Sequence, residues 1–371
     1  MTQMSTQPVA LRSLNLLSSL LLRPREADGA EATHSAELMG DVAQLSRSEF
    51  DSLIALAETN HVLVRGIGAF REIALQTGDE LRTAWADACL SAERARIDTA
   101  LTYLSRICDT YSRHQLRIAV IKSLDHWPDL GSDLDLYTNA KPNDVMRLME
   151  QEFDARVASR SWGDRLAGKW NFIVPGLPEF VEIHVGRLGQ TGEQFAIASS
   201  LLDRTRCISI GELLFRVPSA SDRLMISTLQ RMYRHFYFRL CDIVDSSLLV
   251  ETGSIDYDDL YVAAATAGIW EGVATYLAIV SDYAQRYRGV PLDIPQWVMA
   301  AARFRGNEVY FAKDFLRVPI LPQSARLYGS QLARVIRRRQ LQSGARLSLL
   351  PWLATAALVG QKITGSDKGI W

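Results

Sequence analysis

The chain is short of several things, and each shortage excludes a class of protein. It has four cysteines in 371 residues, Cys89, Cys108, Cys207 and Cys241, with no C-x-x-C spacing. That argues against a disulfide framework or a cysteine-rich zinc module, and the four read as buried thiols in a reducing compartment. Net charge is almost absent, with 41 Lys plus Arg against 42 Asp plus Glu. Overall charge therefore marks neither a nucleic-acid binder nor a binder of acidic substrates. No apolar run is long enough to cross a bilayer, since the longest, Leu347 to Val359, is interrupted by Pro351. The run from Leu14 to Leu22 is broken by Asn15, Ser18 and Ser19 and has no cleavage site, so no secretory leader is expected. No internal repeat is visible. A cytoplasmic protein is the expectation, with enough apolar residues (48%) for a sizeable core.

What is present is organised around Ile118 to Thr138. An apolar run, Ile118 to Ile121, leads to Lys122 and Ser123. A polar connection with Pro128 and Gly131 follows, and then Ser132-Asp133-Leu134-Asp135-Leu136-Tyr137. Alternation puts Asp133 and Asp135 on one face of a strand and Leu134 and Leu136 on the other. Two neighbouring carboxylates repel, and a divalent cation between them removes the cost. Taken alone, the pair reads better as a solvated edge strand with two exposed acids.

The flanks are mostly helical. Ser46 or Ser48 caps a helix with Phe50, Leu53, Ile54, Leu56 and Ala57 on one stripe, and another starts near Ala69. Asp79 to Arg113 reads as one long helix or two. The stretch around Pro24 and Gly29 reads as a loop. A helix after Lys141 presents Val145, Leu148, Met149 and Phe153. Trp170 to Val174 and Phe180 to Val185 read as strands joined by Pro175-Gly176-Leu177-Pro178, with Glu182 and His184 sharing a face. Beyond Pro218 the pattern is helical throughout, one helix running from Ser219 or Ser221 through Arg239 to Asp245. On it His235, Arg239 and Asp242 would share one face.

Asp133, Asp135 and Glu182 on neighbouring strands, after a polar loop, are the arrangement metal-dependent phosphoryl transfer needs. These residues resemble the nucleotidyltransferase superfamily, the DNA polymerase β-like fold. Its signature is a hydrophobic residue, Gly, then Gly or Ser, about ten residues, Asp-hydrophobic-Asp, and a third acid on a later strand. Here Ile121-Lys122-Ser123, Asp133-Leu134-Asp135 and Glu182 match it. More closely, the chain is similar to the bacterial uncharacterised nucleotidyltransferases, through Lys122, Glu182-Ile183-His184, and His235 with Asp242. The resemblance covers about residues 45 to 300. Lys122 stands where the pattern has glycine and could act as a point charge on a phosphate.

The resemblance implies an α+β protein. Residues 1–100 would be an N-terminal helical region, 101–200 the nucleotidyltransferase core with a small mixed sheet, and 201–371 a C-terminal helical domain with a basic tail. It implies an enzyme moving a nucleoside monophosphate from an NTP to an acceptor with two Mg²⁺ ions. Asp133, Asp135 and Glu182 would be catalytic and metal-holding. Lys122, Ser123, Ser132, His184, His235, Arg239 and Asp242 would bind nucleotide or phosphate. A small molecule such as a sugar or secondary metabolite is the expected acceptor. The alternatives are a toxin-type enzyme acting on tRNA or protein, and a non-catalytic nucleotide-binding or scaffold member of the fold.

Loop residues Arg160, Arg165 and Lys169 could close on phosphates, and Trp127 and Trp162 could stack on a base, although packing explains both tryptophans as well. From Phe315 to Ser366 there is no Asp or Glu, while Arg326, Arg334, Arg337, Arg338, Arg339, Arg346 and Lys362 are present. Such a segment suits an anionic membrane surface or RNA phosphates, or is an Arg-rich outer face of a packed helix.

Overall fold

The computed structural model describes residues 6–23 and 30–353, with side chains described for 10–23 and 36–353. Pro24 and Gly29 of the expected loop, the end of the apolar run to Val359, and Lys362 lie outside the described residues.

Five helices precede the sheet: α1 (Thr6–Leu21), α2 (Ala30–Ala43), α3 (Arg47–Thr59), α4 (Leu63–Gln76) and α5 (Glu80–Arg113). Ser46 caps α3 with a reciprocal pair. Its hydroxyl accepts from Glu49 N, and Glu49 Oε2 accepts from Ser46 N at 2.9 Å, a device that contributes about 1 kcal/mol. Helix α4 starts six residues before the expected Ala69, at Leu63. Its first turn is fixed from outside, where Asp129 Oδ1 accepts from Val64 N at 2.5 Å. Helix α5 is one element of 34 residues, capped by Asp79. Its Arg96 donates to Leu130 O at 3.1 Å and pairs with Glu179, so the long helix fixes the loop that enters the acid-bearing strand.

The central part holds β1 (Ile118–Val120), β2 (Asp133–Thr138), α6 (Pro142–Phe153), β3 (Arg156–Val157), α7 (Trp162–Ala167), β4 (Lys169–Ile173) and β5 (Phe180–Val185). The five strands lie in the order β1-β2-β5-β4-β3. Strands β2 and β5 are parallel and the other pairs antiparallel, which makes the small mixed sheet expected of the α+β class. Asp135 is in register with Glu182, and Glu182 with Asn171. With side chains alternating, Leu134, Leu136, Val181 and Ile183 are buried on one face and the carboxylates lie on the other. Helix α6 buries the four apolar residues its spacing predicts.

Next come α8 (Phe195–Ser200), the hairpin β6 (Thr205–Ile210) and β7 (Leu213–Pro218), and α9 (Ala220–Thr228). The single helix expected from Ser219 to Asp245 is not formed. After α9 the chain widens into a π-helical segment, Leu229–His235, and turns at Phe236 in left-handed backbone (φ 55°). It then forms β8 (Tyr237–Phe238) and restarts as α10 (Leu240–Glu251). Asp242 accepts from Arg239 N at 2.7 Å and starts α10 afresh. The remaining elements are α11 (Tyr257–Thr266), α12 (Trp270–Arg288), α13 (Gln296–Ala300), β9 (Tyr310–Ala312), β10 (Phe315–Arg317), α14 (Ala325–Arg337) and α15 (Leu341–Leu347). Strands β8, β10 and β9 form a small antiparallel sheet, so the region beyond Pro218 is not wholly helical. Tyr237 stacks on Phe315 across it, with ring centroids 4.2 Å apart. Helix α12 is buried on every side from Trp270 to Ser281, the stretch that carries its apolar run Val273–Val280.

Candidate active site

Charged side chains converge on a cavity of about 220 Å³ over the carboxylate face of the central sheet. Its floor is Asp133, Asp135 and Glu182. Its walls carry Lys122, Lys169, Arg231, Arg234 and Arg239, together with His61, His126 and His235. Five cationic groups against three carboxylates suit an anion of high charge more than a neutral ligand.

The floor follows from the strands. Asp133 is half-buried and has no side-chain partner at hydrogen-bond distance among the described residues. Asp135 pairs with the Lys122 ammonium. Glu182 takes Lys169 Nζ at 2.5 Å and His184 Nε2 at 2.8 Å, with Lys122 Nζ 3.7 Å away. Burial pushes the Asp135 carboxyl up to about 7, Lys122 opposes this, and the charge of Glu182 adds to it. Burial would also raise Glu182, but Lys122, the bond to His184 and Lys169 outweigh it and leave Glu182 well below the usual carboxylate range. The pair is thus split, with Glu182 ionised and Asp135 able to hold a proton near neutral pH. Burial, followed by the charge on Glu182, also raises Asp133. Burial lowers His184 to about 4, so the neutral ring donates Nε2–H to Glu182. Its buried Nδ1 has no partner, and neither does Asn171 Oδ1, beside Glu182 in register.

The loop between β1 and β2 is built by backbone geometry. Lys122 has φ 63° and ψ −57°, and Ser123 N donates to Ile121 O at 2.7 Å. This is a γ-turn of the rarer, strained kind. It explains why glycine suits the position. Here a lysine takes that backbone, and its ammonium reaches back over the sheet. Burial would lower Lys122, but Asp135 and Glu182 outweigh this and raise it, so it stays charged. Ser123 is buried, its hydroxyl accepting from Asp135 N at 2.7 Å and donating to Asp133 O at 3.2 Å. That hydroxyl is committed to holding the start of β2, and Ser123 aligns the two aspartates. Ser132 is exposed at the rim.

The wall follows from the broken helix. His235 and Arg239 both line the cavity, though they do so from either side of the turn at Phe236 and not from one helix face. Asp242 lies behind the wall. Its carboxylate is buried, 2.7 Å from Arg231 Nε, and caps α10. Burial, reinforced by Arg234 and Arg231, lowers His235 well below its ordinary value. Arg231, Arg234 and Gln230 join the wall only because the π-helical segment turns them inward. The run R-M-Y-R-H is basic, and this is the local signal that marks Arg231 and Arg234. Nothing local placed His61 and His126 in the same cavity.

Among the loop residues, Lys169 reaches Glu182, but Arg160 lies over the Trp170 ring at 3.6 Å and Arg165 over Trp162. Trp127 and Trp162 are exposed and do not line the cavity. In the basic C-terminal segment, Arg334 pairs with Glu271 and Arg346 donates to Leu166 O at 3.0 Å, while Trp352 is 77% exposed. Cys207 is exposed, whereas Cys241 is buried, and all four thiols are free. No described helix is long and apolar enough to cross a membrane.

The residues present fit a hard divalent cation. Asp133 is uncommitted, Asp135 and Glu182 are adjacent carboxylates on rigid strands, and Asn171 offers an unpartnered carbonyl oxygen. The fit requires the Lys122 ammonium to withdraw from Asp135 and the Lys169 ammonium from Glu182.

No protein-family model matches the chain, and a search of curated proteins finds no match. Among solved structures, an antigenic nucleotidyltransferase-like protein from Paracoccidioides brasiliensis matches at 13% identity. The match covers 46% of this chain and 87% of that one, with a TM-score of 0.31.

Proposed function

We propose that the chain is a Mg²⁺-dependent nucleotidyltransferase that moves a nucleoside monophosphate from an NTP to a small acceptor, such as a sugar or secondary metabolite. The observation that carries this reading is the in-register pair Asp135–Glu182, with Asp133 two residues along the same strand, beneath a wall of arginines and lysines. Carboxylates on a rigid floor and cations on the facing wall divide the work that a metal–triphosphate complex requires.

Asp133 and Asp135 would hold Mg²⁺, which when bound neutralises phosphate charge and lowers the pKa of an attacking hydroxyl. Lys122, released from Asp135, would place a point charge on a phosphate oxygen in place of the backbone contacts a glycine loop gives. Arg234, Arg239 and Lys169 bind the remaining oxygens. Glu182 would serve as third ligand or accept the acceptor's proton. A cavity of about 220 Å³ is smaller than the few hundred cubic ångströms typical of whole-ligand pockets, so it suits the polyphosphate and reacting groups, with the base outside. A smaller pocket of about 50 Å³ next to it shares Lys122, Gln230 and Arg234 and is lined by Leu188, Ile226 and Leu229.

Mass spectrometry of reactions with ATP or GTP, Mg²⁺ and a metabolite extract tests this. The expected product gains one nucleoside monophosphate. Label in tRNA or protein fractions would move the acceptor to macromolecules. A specific observation favours a non-catalytic reading as second choice: Lys122 already supplies a cation to Asp135. Nucleotide binding without transfer to any fraction would select it.

A further inference from the structure

Away from the acid floor, two histidines of the cavity wall meet a cysteine buried behind them. His61 sits at the joint between α3 and α4, in left-handed backbone (φ 53°). His126 ends the 3₁₀ turn Ser123–His126, and Cys241 is the second residue of α10. One donor atom from each lies within 4.8 Å of the other two. His126 Nε2 is 3.8 Å from Cys241 Sγ. Asp245, one turn along α10, lies at hydrogen-bond distance from His126 Nδ1, which turns Nε2 toward the thiol. Asp245 is itself held by Arg65 Nη1 at 2.5 Å, and Arg65 Nε by Asp129 at 2.7 Å. Gly131 allows His61 its place, since a Cβ there would come within 3.1 Å of the imidazole.

Cysteine, histidine and aspartate in this order also describe a nucleophile, its base and an orienting carboxylate. Burial decides against that reading. Cys241 is 0% exposed, so no electrophile reaches the sulfur in this fold. A cation needs only to pass between the two imidazoles, and both line the cavity. Tetrahedral Zn²⁺, with bonds of about 2.0–2.3 Å to nitrogen and sulfur, spaces its ligand atoms by roughly 3.3–3.8 Å. His126 Nε2 and Cys241 Sγ, 3.8 Å apart, are at this spacing, and the remaining separations are no more than 4.8 Å. Thiolate with imidazole selects a borderline-soft ion over Mg²⁺. A carboxylate on the far nitrogen is the usual support of a zinc-binding histidine.

We propose that His61, His126 and Cys241 form a Zn²⁺ site in the cavity wall, oriented by Asp245, with its fourth position open to the cavity for water or an anionic oxygen. Binding displaces the thiol proton to solvent. The long 3.4 Å contact between Arg239 Nη1 and His61 Nδ1 gives way, and the thiolate charge offsets the nearby guanidinium.

The test titrates the metal-stripped full chain with Co²⁺ and then Zn²⁺. The expected result is one Co²⁺ per chain with a thiolate-to-cobalt charge-transfer band and tetrahedral d–d bands, all removed by Zn²⁺. Cys241→Ser loses the charge-transfer band. His61→Gln, at a half-buried position, weakens binding about 100-fold while circular dichroism reports an unchanged fold. Asp133→Asn/Asp135→Asn keeps the bands, which separates this site from the proposed magnesium site. A folded wild type without the thiolate band, or equal Co²⁺ affinity in His61→Gln, overturns the proposal. So does rapid iodoacetamide labelling of Cys241 without metal binding, which would mark a nucleophile instead.

Discussion

The floor and the wall of the cavity are built in opposite ways. The floor is regular. Two parallel strands in register set Asp135 beside Glu182, and alternation alone decides which side chains face the cavity. The wall is irregular. A helix widens into a π-helical segment, turns in left-handed backbone and restarts, and this break aims Arg231, Arg234, His235 and Arg239 inward. Regular structure places the groups whose spacing must be fixed, and a broken helix gathers charges that a straight helix would distribute around its circumference.

That contrast predicts a graded response to mutation. The largest effect falls on the floor. Asp133→Asn/Asp135→Asn should lower nucleotidyl transfer by about 10³-fold or more, with the fold unchanged by circular dichroism. A loss under tenfold in a steady-state assay would place the chemistry elsewhere. Next is the support of the wall. Asp242→Ala leaves Arg231 buried and uncompensated and should cost about 3–5 kcal/mol in urea denaturation. A cost near zero would mean the break in the helix does not depend on this pair.

The pH dependence separates floor from wall more gently. Asp135 is protonated below about 7, and a cation must displace that proton. Apparent Mg²⁺ affinity should therefore fall up to about tenfold per pH unit below about 7 and level off above it. A profile flat through this range would remove Asp135 from the metal site. The smallest effect is at the outer surface. Asp51→Asn breaks an i,i+4 pair with Arg47 whose side chains are both more than half exposed. It should change stability by less than about 0.5 kcal/mol in thermal denaturation.

The floor was legible in the sequence because its information is local. Asp-Leu-Asp-Leu fixes the face, and Pro175-Gly176 fixes the hairpin that returns β5 with Glu182. The capping box at Ser46 and the four-residue stripe of α6 were legible for the same reason. The wall was not. Residues 219 to 245 contain no glycine or proline to mark the break, and their apolar spacing continues through it. Lys122 was half legible. Its position was read as one where glycine belongs, and φ 63° gives the reason. The destination of its ammonium depends on strand pairing with residues 13 and 60 positions later. The pairing of β10 with β8 and the Arg334–Glu271 pair likewise rest on contacts far apart in the chain.

The most direct test of the central claim is calorimetric titration of ATP and GTP into the wild type and Asp133→Asn/Asp135→Asn, with and without Mg²⁺. The account predicts that at least one nucleotide binds the wild type in a Mg²⁺-dependent way, and that the double variant loses this dependence. Binding indifferent to Mg²⁺ and to both aspartates, or no binding at all, would contradict it.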